Sequence, residues 1–167
     1  MHPHRGGVDD VRCEPMRSGD EPSIRTVIVA AHRAGSPGYY TNDEIDAFSR
    51  AIINDPFDGL AERAHFHVAT LDADVIATAG WVPFETDLAR LTLVFVRPDW
   101  FGQGIGRRLV TLVETHALAS GVAALAVRSS LNAVGFYERL GYVVDRPMPT
   151  ELGTITIGST LMRKPQP

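Results

Sequence analysis

Between Leu91 and Leu109 the chain passes from an apolar, β-favouring run into a helical pattern with almost nothing in between. Leu91-Thr92-Leu93-Val94-Phe95-Val96 reads as a strand that ends at Arg97-Pro98. Gly102, Gly104 and Gly106 follow at alternate positions, and Ile105, Leu109, Leu112 and Val113 then mark one face of a helix. A strand, a glycine loop and a helix start in immediate succession leave unpaired backbone amides at the helix N-terminus, where a glycine backbone comes close to a ligand. Such a place suits phosphate.

The residues around the glycines narrow the choice of phosphate ligand. A dinucleotide loop requires glycine three positions after Gly104, and Arg107 stands there. A nucleoside triphosphate loop requires Gly-Lys followed by Ser or Thr, which the chain lacks. Val96-Arg97-Pro98 followed by Phe101-Gly102-Gln103-Gly104-Ile105-Gly106 resembles the pyrophosphate loop of the GCN5-related N-acetyltransferases (GNAT), Val-x-Pro and then Gln/Arg-x-x-Gly-x-Gly/Ala. Phe101 replaces the residue that opens the family loop, and Gln103, Arg107 and Arg108 supply polar or cationic groups nearby. Two arginines in the first turn of a helix run against the helix dipole and ask for an anion.

A second segment carries the same resemblance. Ser130, Ala133, Tyr137, Gly141 and Tyr142 fall on the family pattern Asn-x-x-Ala-x-x-x-Tyr-x-x-x-Gly-Phe, with Ser for Asn and Tyr for Phe. The resemblance implies an α/β (α+β) domain with a mixed, mostly antiparallel sheet of six to seven strands flanked by about four helices. It implies acetyl-CoA as cosubstrate, with the pantetheine arm along Val94, Phe95 and Val96. Phe101, Gly102, Gln103, Gly104, Ile105, Gly106 and Arg107 then serve the pyrophosphate, helped by Ser130, Asn132 and Tyr137. Tyr137 is the implied general acid, since a phenol can return a proton to a departing thiolate. Tyr39, Tyr40 and Phe48 lie where the family selects its acceptor.

No base is legible. The fourth strand, Leu91–Val96, and the fifth, Ala123–Val127, hold no carboxylate, which leaves Glu85, Asp87, His65, His67 or a water relay. An acceptor α-amine, with pKa near 7.7 to 8, needs little help. The expected reaction is acetyl transfer to a primary amine of a small molecule or peptide by direct attack in a ternary complex. A non-catalytic acyl-CoA sensor or interaction module is the alternative.

Composition bounds the rest. With 167 residues and 44% hydrophobic content the chain can bury one sizeable core, expected over residues 11–164 behind a disordered tail at 1–10. A net charge of −4 argues against nucleic acid or an anionic membrane as the default partner. The single Cys13 forms no internal disulfide and fits a reducing cytoplasm. No metal-ligand cluster is expected, the start of the chain lacks a signal-peptide pattern, and homodimerisation is implied only by the family.

Along the chain, strand Val11–Met16 precedes a helix opened by Asp20-Glu21-Pro22 and running to Arg33. Thr41-Asn42-Asp43-Glu44 predicts a capping box for a second helix ending at Asn54. Strands are expected over His65–Leu71 and Val75–Val82 around Asp72-Ala73-Asp74, with a bulge or close approach at Gly80. Strand Leu88–Val96, a helix from Ile105 to Ser120, strand Ala123–Val127, a serine-capped short helix and a strand follow. Thr154–Met162 closes the sheet as one strand.

Overall fold

The computed structural model describes residues 6–55 and 65–166. Met1–Arg5 of the expected tail and most of the polar loop before His65 lie outside these residues. Where the tail is expected to continue to Asp10, Val8–Asp10 instead form a 3-10 turn, and Val8 packs against the core. Arg108 anchors this turn by donating to the carbonyls of Val8 (3.2 Å) and Val11 (2.9 Å).

Strand β1 (Arg12–Pro15) leads into helices α1 (Glu21–Gly35) and α2 (Asn42–Asn54). Pro22 sits at the start of α1, as its fixed φ favours, but the Asp20 carboxylate accepts from Arg17 N–H rather than capping the helix. The α2 box forms: Glu44 N–H donates to Thr41 Oγ1 at 3.2 Å, and Thr41 N–H donates to Glu44 Oε2 at 2.8 Å.

β2 (His67–Leu71), β3 (Asp74–Glu85) and β4 (Leu88–Val96) make an antiparallel meander, after which α3 (Ile105–Ala119) crosses to β5 (Ala124–Ser130). α4 (Val134–Arg139), β6 (Val143–Pro147), β7 (Thr150–Leu152), β8 (Ile155–Ile157) and β9 (Ser159–Lys164) complete the chain. The main sheet has the order β1-β2-β3-β4-β5-β9-β6, and only β4 and β5 run parallel. Seven strands and, among the described residues, four helices match the expected class.

Each face of the sheet has its own core. Leu109, Val110, Val113 and Ala117 of α3 bury against Ala77, Ala79, Ala89 and Leu91 on one side. Ile24, Val27 and Ile28 of α1 bury against Val68 and Val75 on the other. Removing apolar surface from water, at about 25 cal/mol for each Å², is what holds the helices to the sheet at these two seams. No helix among the described residues is long and apolar enough to cross a membrane.

Two boundaries differ from the sequence reading. β5 runs on through Ser129 and Ser130, which pair with Thr160 and Ser159 of β9; they are strand residues rather than helix caps, and a 3-10 turn at Leu131–Ala133 precedes α4. The expected closing strand is divided. β7 and β8 form a separate hairpin turning at Gly153 (φ +63°), packed on Tyr40, Ile45 and Ala47 around α2, and only β9 joins the main sheet.

Candidate active site

β4 makes the site by leaving its neighbour. It pairs with β5 only from Leu88 to Leu91, opposite Ala124 to Val127. Beyond that point β4 stays on β3 and β5 stays on β9, so the sheet opens between them. The cause is local: β3 advances two residues, Gly80 to Thr78, while β4 advances three, Thr92 to Phe95. The extra residue makes a bulge, with Leu93 at φ +49°, a conformation that non-glycine residues seldom adopt. Gly80, opposite Thr92, makes room for the Phe66 ring, from which a Cβ there would lie 2.7 Å.

The bulge decides where the β4 backbone points. Arg97 N–H donates to Ile76 O at 2.7 Å, and Phe95 lies opposite Thr78, so these are the hydrogen-bonded pairs of the ladder. By the alternation of an antiparallel strand, the N–H and C=O groups of Val94 and Val96 face the opening. They edge a cleft of about 800 Å³ that runs from the β7–β8 hairpin to the start of α3.

At the α3 end, Arg97 holds Asp99 bidentately (2.7 and 3.1 Å) and Trp100 is buried, which fixes the base of the glycine loop. Gly102 (φ +73°) and Gly104 (φ +81°, the helix N-cap) take left-handed conformations that suit glycine. A Cβ at either would meet no protein atom within 4 Å, so the space above them is open. The first amides of α3, which have no acceptor within the helix, give this end of the cleft a cradle for a diphosphate.

The structure brings together Val94, Phe95, Val96, Phe101, Gly102, Gly104, Ile105, Gly106, Arg107, Ser130, Asn132 and Tyr137 as cleft lining. Gln103 is not among them; its amide donates to Asp99 O at 3.4 Å and props the loop. Arg108 turns away to the N-terminal segment. Tyr137 is buried, with Phe136 (5.0 Å) and Tyr142 (5.7 Å) edge-on to its ring. Burial raises its pKa well above that of an ordinary phenol, so the hydroxyl keeps its proton. Tyr142 belongs to the support: its hydroxyl donates to Glu114 at 2.8 Å, and Lys164 pairs with the same carboxylate at 3.1 Å.

At the opposite end Tyr40 and Phe48 line the cleft, whereas Tyr39 is exposed outside it. Tyr40 is a tie as much as a wall. Its hydroxyl donates to Gly158 O (2.7 Å) and accepts from Leu131 N–H (2.8 Å), joining three segments. None of Glu85, Asp87, His65 and His67 lines the cleft. Glu85 pairs with Arg163, and His65 stacks on Trp81 at 4.3 Å, within a cluster that includes His67 and His116.

Three lining residues are new to the sequence reading. His32 of α1 is buried, stacks on Phe48 at 4.0 Å, and leaves its enclosed Nδ1 without a partner among the described residues. Burial, assisted by Arg33, lowers its pKa to about 4. Its signal was present: Ile24, Ile28 and His32 share one helix face. Arg90 and Arg128 also line the cleft, one on an apolar strand and the other just past the predicted end of its strand.

A family model described as an acetyltransferase (GNAT) domain matches residues 38–157. An uncharacterized acetyltransferase from Streptococcus pyogenes serotype M3 is 33% identical over 100 residues, 59% of this chain and 70% of the relative. A GCN5-related N-acetyltransferase from Rhodopseudomonas palustris superposes with a TM-score of 0.82 at 22% identity, covering 93% of this chain and 95% of the other. The PaiA N-acetyltransferase of Thermoplasma acidophilum, solved with coenzyme A, gives 0.70 at 17% identity, covering 93% and 99%. With its opened sheet, its glycine loop and a family match across both motifs, the chain belongs to the GNAT acetyltransferase family.

Proposed function

We propose that the protein is an acetyl-CoA-dependent N-acetyltransferase that transfers acetyl to a primary amine by direct attack within a ternary complex. The observation that carries this reading is the gap between β4 and β5, which ends on the glycine loop with Tyr137 buried at its side. The residues suit the cosubstrate: the space over Gly102 and Gly104 is open, and the α3 amides and Arg107 offer charge to a diphosphate. Acetyl-CoA supplies the acetyl thioester. The inward N–H groups of Val94 and Val96 hold the arm and stabilise charge on the carbonyl oxygen.

The amine nitrogen attacks the carbonyl carbon, the C–S bond breaks, and Tyr137 gives the thiolate sulfur its proton; solvent then restores the phenol. Burial that keeps Tyr137 protonated also raises the proton affinity of a thiolate beside it, which offsets the widening that burial of the phenol brings. His32 is held neutral beside Phe48 at the acceptor end of the cleft. With a pKa of about 4 it does not keep the amine's proton, because transfer from an α-amine near 8 would be about 5 kcal/mol uphill. That proton leaves to water. Cys13 does not line the cleft, which favours direct attack over an acyl-enzyme.

Thermal unfolding with acetyl-CoA, CoA, NAD and ATP tests the cosubstrate. A ligand at a hundred times its Kd adds about 2.7 kcal/mol, or roughly 5 to 10 °C for a chain of this size. A rise with acetyl-CoA and CoA alone is the expected result; no rise with either overturns the reading. In an amine panel read by thiol release, Tyr137→Phe is expected to lower kcat on the order of a hundredfold with acetyl-CoA affinity nearly intact. Equal turnover would remove Tyr137 from the mechanism, and turnover absent from both forms would favour the non-catalytic module.

A further inference from the structure

Arg90 of β4 and Arg128 of β5 stand beside each other on the sheet face under the β7–β8 hairpin and line the acceptor end of the cleft. Neither has an ion-pair partner among the described residues, and Asp55 is the one carboxylate among the described lining residues. Arg128 spends its donors on structure: Nε and Nη2 bond Met148 O (3.0 and 2.9 Å), and Nη2 also reaches Pro149 O (2.9 Å).

Arg90 is different. Among the described residues, its guanidinium lies 5.0 Å from the Phe84 ring centroid, its Nη1 meets only the sulfur of Met148 at 3.9 Å, and its Nε is buried without a partner. A thioether is a weak acceptor, so a planar fork of five donors is left almost unused. Burial disfavours the charge on both arginines, and at Arg90 the charge of Arg128 adds to the penalty. Two partly desolvated like charges in an open cleft destabilise the protein unless an anion joins them.

We propose that Arg90, assisted by Arg128, binds an anionic group on the acceptor, so that the substrates are amines that carry a carboxylate or phosphate. This rests on the acetyltransferase reading above and deepens it. Arg90 precedes Val94 by four residues, at most about 13 Å at strand rise, and its guanidinium, which rests on Phe84 on the side away from Val94, swings back along the cleft to meet the acid. The amine and the acid are therefore separated by several bonds. A bidentate guanidinium contact fits either anion.

The test is a matched acceptor series with acetyl-CoA: ω-amino carboxylates of two to six carbons, their carboxamides, and 2-aminoethyl phosphate. The longer acids are expected to exceed their amides at least tenfold in kcat/KM, mainly through KM, and the phosphate shows whether the site prefers that anion. Arg90→Gln is expected to collapse the acid-to-amide ratio towards one, and Arg90→Lys to restore part of it. Reading a ratio within each variant separates anion binding from general damage. A wild-type ratio of one or less overturns the proposal while the acetyltransferase reading stands. No stabilisation by acetyl-CoA and no thiol release with any amine overturns both. Should acetyl-CoA bind without turnover, calorimetric titration of the CoA complex with the same acids and amides decides, and equal or absent binding of the acids overturns the proposal.

Discussion

The residues that shape this cleft owe their chemistry to burial more than to identity. His32 shows the effect in a measurable way. In an unfolded chain its imidazole has an ordinary pKa of 6.5, whereas in the fold burial lowers it to about 4. Between those values the unfolded chain takes up a proton that the folded chain refuses, so stability is full above about pH 6.5 and falls as the pH drops towards 4. At 1.36 kcal/mol per pH unit the loss is roughly 3 kcal/mol. Urea unfolding of wild type and His32→Gln at several pH values between 4 and 7 isolates this share from that of His65 and His67, which burial also lowers. The expected result is a shallower slope in the variant, and identical slopes would mean that His32 is not desolvated. Tyr137 was legible in the sequence because a motif spacing announces it. Arg90 and Arg128 were not, because a charge within an apolar strand does not say what lies opposite it.

Among the elements, the β2–β3 hairpin and the β4–β5 opening both depend on residues in left-handed conformations. Asp72 (φ +48°) and Ala73 (φ +70°) give the hairpin the mirror-image turn that matches strand twist. Alanine there costs about 1 to 2 kcal/mol, against which glycine loses about 0.5 to 1 kcal/mol in chain entropy. Asp72→Asn with Ala73→Gly, an Asn-Gly turn, is therefore expected to raise Tm by about 2 °C in a calorimetric scan. A lower Tm would show that the turn is not strained. The hairpin itself was readable from the two flanking apolar runs. The division of Thr154–Met162 between two sheets was not, since Ile155, Ile157 and Leu161 keep one alternation throughout. Period-two patterning reports that a strand has a buried face, not which neighbour buries it.

For the whole molecule, the opened sheet carries a prediction about backbone protection. Val94 and Val96 point their amides into the cleft, and the first amides of α3 lack helical acceptors, while Leu88–Leu91 lie between β3 and β5. Hydrogen exchange is expected to slow at Val94, Val96 and Gly102–Arg107 when CoA is added, with little change at Leu88–Leu91. Uniform slowing, or slowing confined to Leu88–Leu91, would place the ligand elsewhere. The amino-acid sequence by itself determined the strand, glycine loop and helix, the capping box and the Tyr137 helix, because each is written in residues close together in the chain, where dihedral preference and periodicity act. Tertiary structure alone decided that Gln103 and Arg108 leave the cleft, that His32 enters it, and that Arg90 and Arg128 meet there. Those outcomes depend on which strands part and which helix covers the gap, and no local pattern encodes a contact between residues tens of positions apart.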